Sequence, residues 1–132
     1  MSSITQKQIG IPPAAVTLVT TAETFVINTG RCEANLPTLR AIIKAWALIT
    51  TGAGTTGVSF RIRRGNGLAG AVIVNGPPVA LGAATQLDTS MVFAETLQNV
   101  EYAEYSLTIA QTGASGNGIV QMASIEVEMI NG

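Results

Sequence analysis

The sequence predicts an all-β fold, a single-domain antiparallel β-sandwich of about eight strands. Three observations carry this reading. Turn residues recur at a regular beat, near 10–13, 28–30, 51–57, 65–67, 75–78, 97–99 and 112–118, and leave short apolar pieces between them. Several of those pieces alternate apolar and polar side chains with a period of two. The length, 132 residues, suits one domain with one core.

The clearest strand is 58–63, where Val58, Phe60 and Ile62 alternate with Ser59, Arg61 and Arg63. Period two sets the apolar side chains on one face and the polar ones on the other. In 105–109, Tyr105, Leu107 and Ile109 are expected to face inward and Ser106 and Thr108 outward. Near the end of the chain Ile125, Val127 and Met129 alternate with Ser124, Glu126 and Glu128. Segments oily on one side and wet on the other belong to antiparallel sheets with one solvated face. Weaker strands are expected at 16–20, 24–27, 71–74 and 90–95. In the last, Met91 and Phe93 alternate with Ser90 and Val92, so both faces are partly apolar and suit a strand covered by another subunit.

Segment 40–50 is open to two readings. Leu36, Leu39, Ile43 and Trp46 fall at helical spacing, with Pro37 placed for a first helical turn. Yet Ile42, Trp46 and Leu48 on one side, and Ile43, Ala45, Ala47 and Ile49 on the other, fill both faces of a long, doubly buried strand. Strand is the expectation, because one helix among β neighbours demands a different layering. Residues 1–13 are expected as an extended N-terminal arm, with the sandwich over 14–132. Ile9-Gly10-Ile11-Pro12-Pro13 neither starts a helix nor donates a full ladder of hydrogen bonds.

Composition narrows the function. The chain is 47% hydrophobic and only 11% charged, against about 25% charged in ordinary soluble domains. So weakly ionic a surface points to contacts between subunits. Seven basic and eight acidic residues give a net charge of −1. Arg61, Arg63 and Arg64 are the one basic cluster, too small for nucleic acid, where a site engages about six to ten phosphates. The start of the chain is polar and does not read as a secretory leader. The charge-free stretches 65–87 and 105–125 are broken by turn residues, and no membrane span is expected. A single cysteine, Cys32, allows no disulfide within the chain.

Catalytic chemistry finds little to work with. Histidine, the commonest general base and metal ligand, is absent. Cys32 lies between Arg31 and Glu33, whose effects on its thiolate oppose each other. The carboxylate pairs Glu101/Glu104 and Glu126/Glu128 lack the aromatic walls of a sugar-cleaving cleft. Gly65-Asn66-Gly67-Leu68-Ala69-Gly70 spells a dinucleotide fingerprint, but a strand half exposed through its arginines precedes it and a short β-branched run follows. Asn66-Gly67 reads instead as a hairpin turn. Asp88 is the one aspartate and makes no calcium site alone. No cofactor, metal or enzymatic activity is expected.

The order of these features resembles a known family. A long strand, Leu39-Arg40-Ala41-Ile42-Ile43-Lys44-Ala45-Trp46-Ala47-Leu48, leads into a Gly/Thr loop, then Val58-Ser59-Phe60-Arg61-Ile62-Arg63-Arg64-Gly65 and a hairpin. Asp88 and a strand follow, then Glu104-Tyr105-Ser106-Leu107-Thr108-Ile109, a Gly/Ser/Asn turn and a closing strand. Over 35–130 this is similar to the small jelly-roll proteins of tailed-phage virions, in particular capsid decoration (cement) proteins and head or tail appendages. The resemblance implies a jelly-roll sandwich that forms homotrimers on the outside of a particle. Its implied partners are copies of itself and the major capsid protein or another virion protein, with no nucleic acid and no membrane. The implied location is the virion, assembled in the host cytoplasm. It brings no catalytic residues.

From charge sign and strand face, Arg61, Arg63, Arg64, Glu126 and Glu128 are candidates for salt bridges between subunits, and Met91 and Phe93 for an apolar interface. The alternative reading is a carbohydrate- or receptor-binding sandwich of a phage fibre. One tryptophan and two tyrosines are a thin aromatic supply for that role.

Overall fold

The computed structural model describes residues 3–19, 22–33, 38–50, 57–76, 79–80, 86–98, 102–112 and 118–131. The strands are β1 (Ser3–Gly10), β2 (Val16–Thr17), β3 (Thr24–Asn28), β4 (Cys32–Glu33), β5 (Thr38–Thr50) and β6 (Gly57–Arg64). They continue as β7 (Val72–Asn75), β8 (Val79–Ala80), β9 (Gln86–Gln98), β10 (Tyr102–Ala103), β11 (Tyr105–Thr112) and β12 (Ile119–Asn131). Among the described residues there is no helix.

One sheet runs β1-β12-β5-β9, with β2 beside β12. The other runs β3-β11-β6-β7, with β8 beside β6, and β10 pairs with β4 apart from both. The pairings are antiparallel. In chain order, the main strands are β1, β3, β5, β6, β7, β9, β11 and β12. The first, third, sixth and eighth of these make one sheet, and the other four make its partner. That interleaving of two Greek keys is a jelly roll.

The core lies between the sheets. Ala41, Ile43, Ala45, Ala47 and Ile49 of β5 and Ile125, Val127 and Met129 of β12 are buried on one side. Val58, Phe60 and Ile62 of β6 and Leu107 and Ile109 of β11 are buried on the other. Each large aliphatic side chain enclosed this way contributes about 1.5–3 kcal/mol relative to an exposed one.

Segment 40–50 is strand, as expected, hydrogen-bonded to β12 on one side and β9 on the other. Its second face is less covered than the doubly buried reading required: Ile42, Trp46 and Leu48 are half-buried and Lys44 is exposed. The stretch expected as an arm is extended, but over Ser3–Gly10 it is the edge strand β1, paired with the chain's own β12. The polar start of the chain carries little of the apolar alternation that marks the later strands. Gly10 ends β1 so close to the Asn28 carbonyl that a β-carbon there has no room.

Two local expectations are corrected. Ser106 and Thr108 do lie on the outer face of β11, yet both are fully buried, because polar side chains cover them. The hairpin turn expected at Asn66-Gly67 is present, but its connection is longer than those two residues. β6 and β7 pair, but the connection runs from 65 to 71, with Gly65 (φ 81°) and Gly67 (φ 92°) in the left-handed region and Arg64 N–H donating to the Ala71 carbonyl. The turns expected at 51–57 and 112–118 fall mostly outside the described residues, as do Pro77, Pro78, Asn99 and Glu101.

Candidate interaction surface

The outer face of the β1-β12-β5-β9 sheet is mixed in chemistry. Antiparallel register sets Lys7 opposite Glu128, and Glu126 opposite Lys44. The Lys7 ammonium lies 3.2 Å from Glu126 and 3.8 Å from Glu128, and Lys44 lies 3.8 Å from Glu128. Burial pushes the Glu126 carboxyl up, but hydrogen bonds with Glu128 and Lys7 and the charges of Lys7 and Lys44 outweigh it, and its pKa falls below the usual range. The two glutamates therefore find lysine partners within the chain.

Beside this charged row the face turns apolar. Ile9 is 50% exposed, Ile11 64% and Met122 58%. Together with Pro12, Pro13 and the flank of Trp46 they line an open groove of about 340 Å³. This groove forms where the chain leaves β1, because the two prolines cannot continue the ladder and the strand must lift away. The sequence did not mark it, since Ile9 and Met122 come together only through the fold.

The opposite sheet is closed on its outer side. The Glu23 carboxylate accepts hydrogen bonds from Arg61 Nη1 (2.5 Å), Arg63 Nε (2.6 Å) and Arg63 Nη2 (2.9 Å). Arg63 also donates to the Gly70 carbonyl, and Arg61 to Asn75. Arg63 above all, then Thr108 and Arg61, hold the Glu23 pKa down to about 2 against the desolvation that raises it. The same pairing raises the Arg63 pKa. Thr108 lies buried beneath this clasp; its hydroxyl makes no regular hydrogen bond, yet it too favours the Glu23 carboxylate. Asn28 and Ser106 brace the neighbouring turn. Asn28 Nδ2 donates to the Gly65 and Tyr105 carbonyls, and Ser106 Oγ donates to the Gly65 carbonyl.

At one end of the sandwich Glu95 points inward from β9 and ties the two sheets. It accepts from Arg64 and from the Tyr105 hydroxyl (2.7 Å). Burial pushes the Tyr105 pKa up to about 12, with Arg64 opposing, and pushes the Cys32 thiol up to about 11, with Glu33 adding to the effect. A cleft of about 240 Å³ opens there between Arg64, Leu97 and Tyr102, and the Arg31 guanidinium stacks 4.2 Å from the Tyr102 ring centre.

The candidate interface residues thus fall in separate places. Arg61 and Arg63 belong to the Glu23 clasp, Arg64 to the end cleft, and Glu126 and Glu128 to the lysine row. Met91 and Phe93 share the inward face of β9 and pack against the core, while Val92 between them is 69% exposed. Among the described residues no group of three acidic or cysteine side chains could hold a metal ion, and no helix is long and apolar enough to cross a membrane.

No protein-family model and no curated protein matches the chain. Solved structures do. A chain of infectious bursal disease virus, Gx strain, is similar over 96% of this chain and 33% of its own, at 13% identity and a TM-score of 0.57. The VP2 subviral particle of the same virus gives 96%, 33%, 12% and 0.54. Dimeric latent PorU from Porphyromonas gingivalis gives 98%, 13%, 8% and 0.53. The present chain spans about a third of the length of the viral chains. At such identities the likeness is one of fold alone.

Proposed function

We propose that this chain is a structural subunit of a virus particle that acts by assembling with copies of itself. In its specific form it is a homotrimeric capsid decoration or appendage subunit of a tailed phage, bound to the major capsid protein or another virion protein by surface complementarity. The observation that carries the proposal is the apolar groove of Ile9, Ile11 and Met122, beside a charge-balanced Lys/Glu row. Its occupant is a second copy of the chain, because exposed apolar side chains beside a balanced Lys/Glu row suit a contact with the chain's own weakly charged surface, and a head-to-tail contact of this kind closes into a ring. Three such contacts around one axis then present three equivalent surfaces to a capsid, and weak single contacts add to firm attachment. The described Arg61, Arg63, Arg64, Lys7 and Lys44 are engaged in ion pairs within the chain, which supports a structural use of charge over a catalytic one.

Sedimentation equilibrium of the Met122→Lys variant tests this. The substitution sets a cation in the groove without touching the core. The expected result is a fall from the trimer mass to 13.6 kDa. A variant as heavy as the wild type overturns the assignment of the groove. A second reading, a carbohydrate- or receptor-binding module, has one observation in its favour, the Tyr102–Arg31 stack beside the end cleft. Glycan binding abolished by Tyr102→Ala supports that reading.

A further inference from the structure

β9 is an edge strand of unusual length. Its thirteen residues pair with β5 from Thr38↔Gln98 to Thr50↔Gln86 without a shift of register. Among the described residues no strand pairs with its other side. Such an edge presents a row of backbone donors and acceptors, which natural proteins blunt with Pro, Lys, bulges or shortness. β9, QLDTSMVFAETLQ, has no Pro, Lys, bulge or shortness, and the charge of its inward Glu95 is taken up by Arg64 and Tyr105 of its own chain. The other edges are blunted: β1 has an irregularity between Ile4 and Gln6 and carries Lys7, and β7 is four residues long. The side chains agree. Met91 and Phe93 face the core but are only half-buried, and Val92 on the outer face is the most exposed of the large apolar residues described.

We infer that β9 pairs antiparallel with β9 of a second copy, about a two-fold axis through Val92. The register follows from physics. A two-fold perpendicular to the sheet keeps outer residues opposite outer ones, so the axis passes through a single residue. Centring on Val92 engages the whole strand, since it is the middle residue of Gln86–Gln98. This register sets Asp88 opposite Thr96 and Glu95 opposite Thr89, so the strand's two acids avoid each other. Centring on Asp88 instead puts like charges on the axis. In the Val92 register Met91 of each copy faces Phe93 of the other, a sulfur–aromatic pair that covers both half-buried side chains. The contact is independent of the groove, which lies on the β1 side of the sheet. With a three-fold at the groove and a two-fold at β9, one subunit carries both contacts of a dihedral hexamer or of a lattice.

Cysteine cross-linking tests the register. Directly opposed residues of an antiparallel pair have Cα atoms about 4.5–5.5 Å apart, within disulfide range. Val92→Cys is expected to give a reducible dimer under mild oxidation. Ser90→Cys and Ala94→Cys alone are expected to stay uncross-linked, because each meets its own copy about 13 Å away. The double variant Ser90→Cys/Ala94→Cys is expected to cross-link. Cys32 is fully buried and does not compete. Val92→Cys that oxidises no faster than Ser90→Cys, with an unchanged far-ultraviolet spectrum, overturns the inference. Adding Met122→Lys separates the two proposals. A surviving Val92→Cys cross-link in a chain that has lost its trimer mass leaves the edge contact standing, and a trimer without the cross-link leaves the groove standing.

Discussion

Glu23→Gln is the sharpest perturbation of the fold. Glu23 is held by two arginines of β6, with its side chain only 13% exposed. Its pKa lies at about 2 instead of 4.5, mainly through Arg63. A depression of that size corresponds to about 3 kcal/mol of preference for the charged form in the folded state. Arg61 is 35% exposed, so solvent screening brings the expected cost of Glu23→Gln to about 2–3 kcal/mol. In urea, with a slope of about 2 kcal/mol per molar, the midpoint at pH 7 drops by about 1–1.5 M. The pH dependence fixes the cause. A lowered folded-state pKa means stabilisation present in full above about pH 4.5 and lost as the pH falls toward 2. The gap between wild type and variant therefore narrows on acidification, and by pH 3 more than half of it is gone. Midpoints that coincide at pH 7, or a gap of equal size at pH 7 and pH 3, refute the clasp. Both proteins are compared at one concentration, since self-association adds to apparent stability.

Three further outcomes follow from the geometry. Asn28→Ala removes donors to the Gly65 and Tyr105 carbonyls and the acceptor of the Gly30 N–H, and is expected to cost about 1–3 kcal/mol in denaturant unfolding. Gly67→Ala meets no side chain but forces a positive φ on a residue with a β-carbon. It is expected to cost about 1–2 kcal/mol, read as a lowered Tm. The Cys32 thiol, buried and pushed up to about 11, is expected to resist an aromatic disulfide reagent at pH 8 until the chain unfolds; prompt labelling of the folded protein contradicts its burial.

Much of the sandwich was legible in the sequence because its strands alternate cleanly. Val58, Phe60 and Ile62 of β6, and Ile125, Val127 and Met129 of β12, face the core as period two requires. The long strand over 40–50 was resolved against a helix only by its β neighbours, since Leu39, Ile43 and Trp46 fit a helical stripe while Ile43, Ala45, Ala47 and Ile49 fit period two. β9 was legible only over 90–95. Glu95, the last residue of that stretch, points inward, and its partners Arg64 and Tyr105 come from the other sheet, which no local pattern reveals. The same distance in sequence hid the Glu23 clasp, whose partners lie 38 and 40 residues away. That clasp explains why Thr108, and the Asn28-braced turn why Ser106, outward by alternation, are nonetheless buried. Among the candidate interface residues, the partners within the chain were not legible. Glu126 and Glu128 meet lysines of their own sheet, and the exposed member of the Met91-Val92-Phe93 run is Val92.

The central claim is that a jelly roll with so little surface charge and an open apolar groove associates with itself. Light scattering on the intact chain at micromolar concentration tests it most directly. The account predicts about 41 kDa, three copies of 13.6 kDa, or twice that where the β9 edges also engage. A single species of 13.6 kDa at that concentration contradicts it.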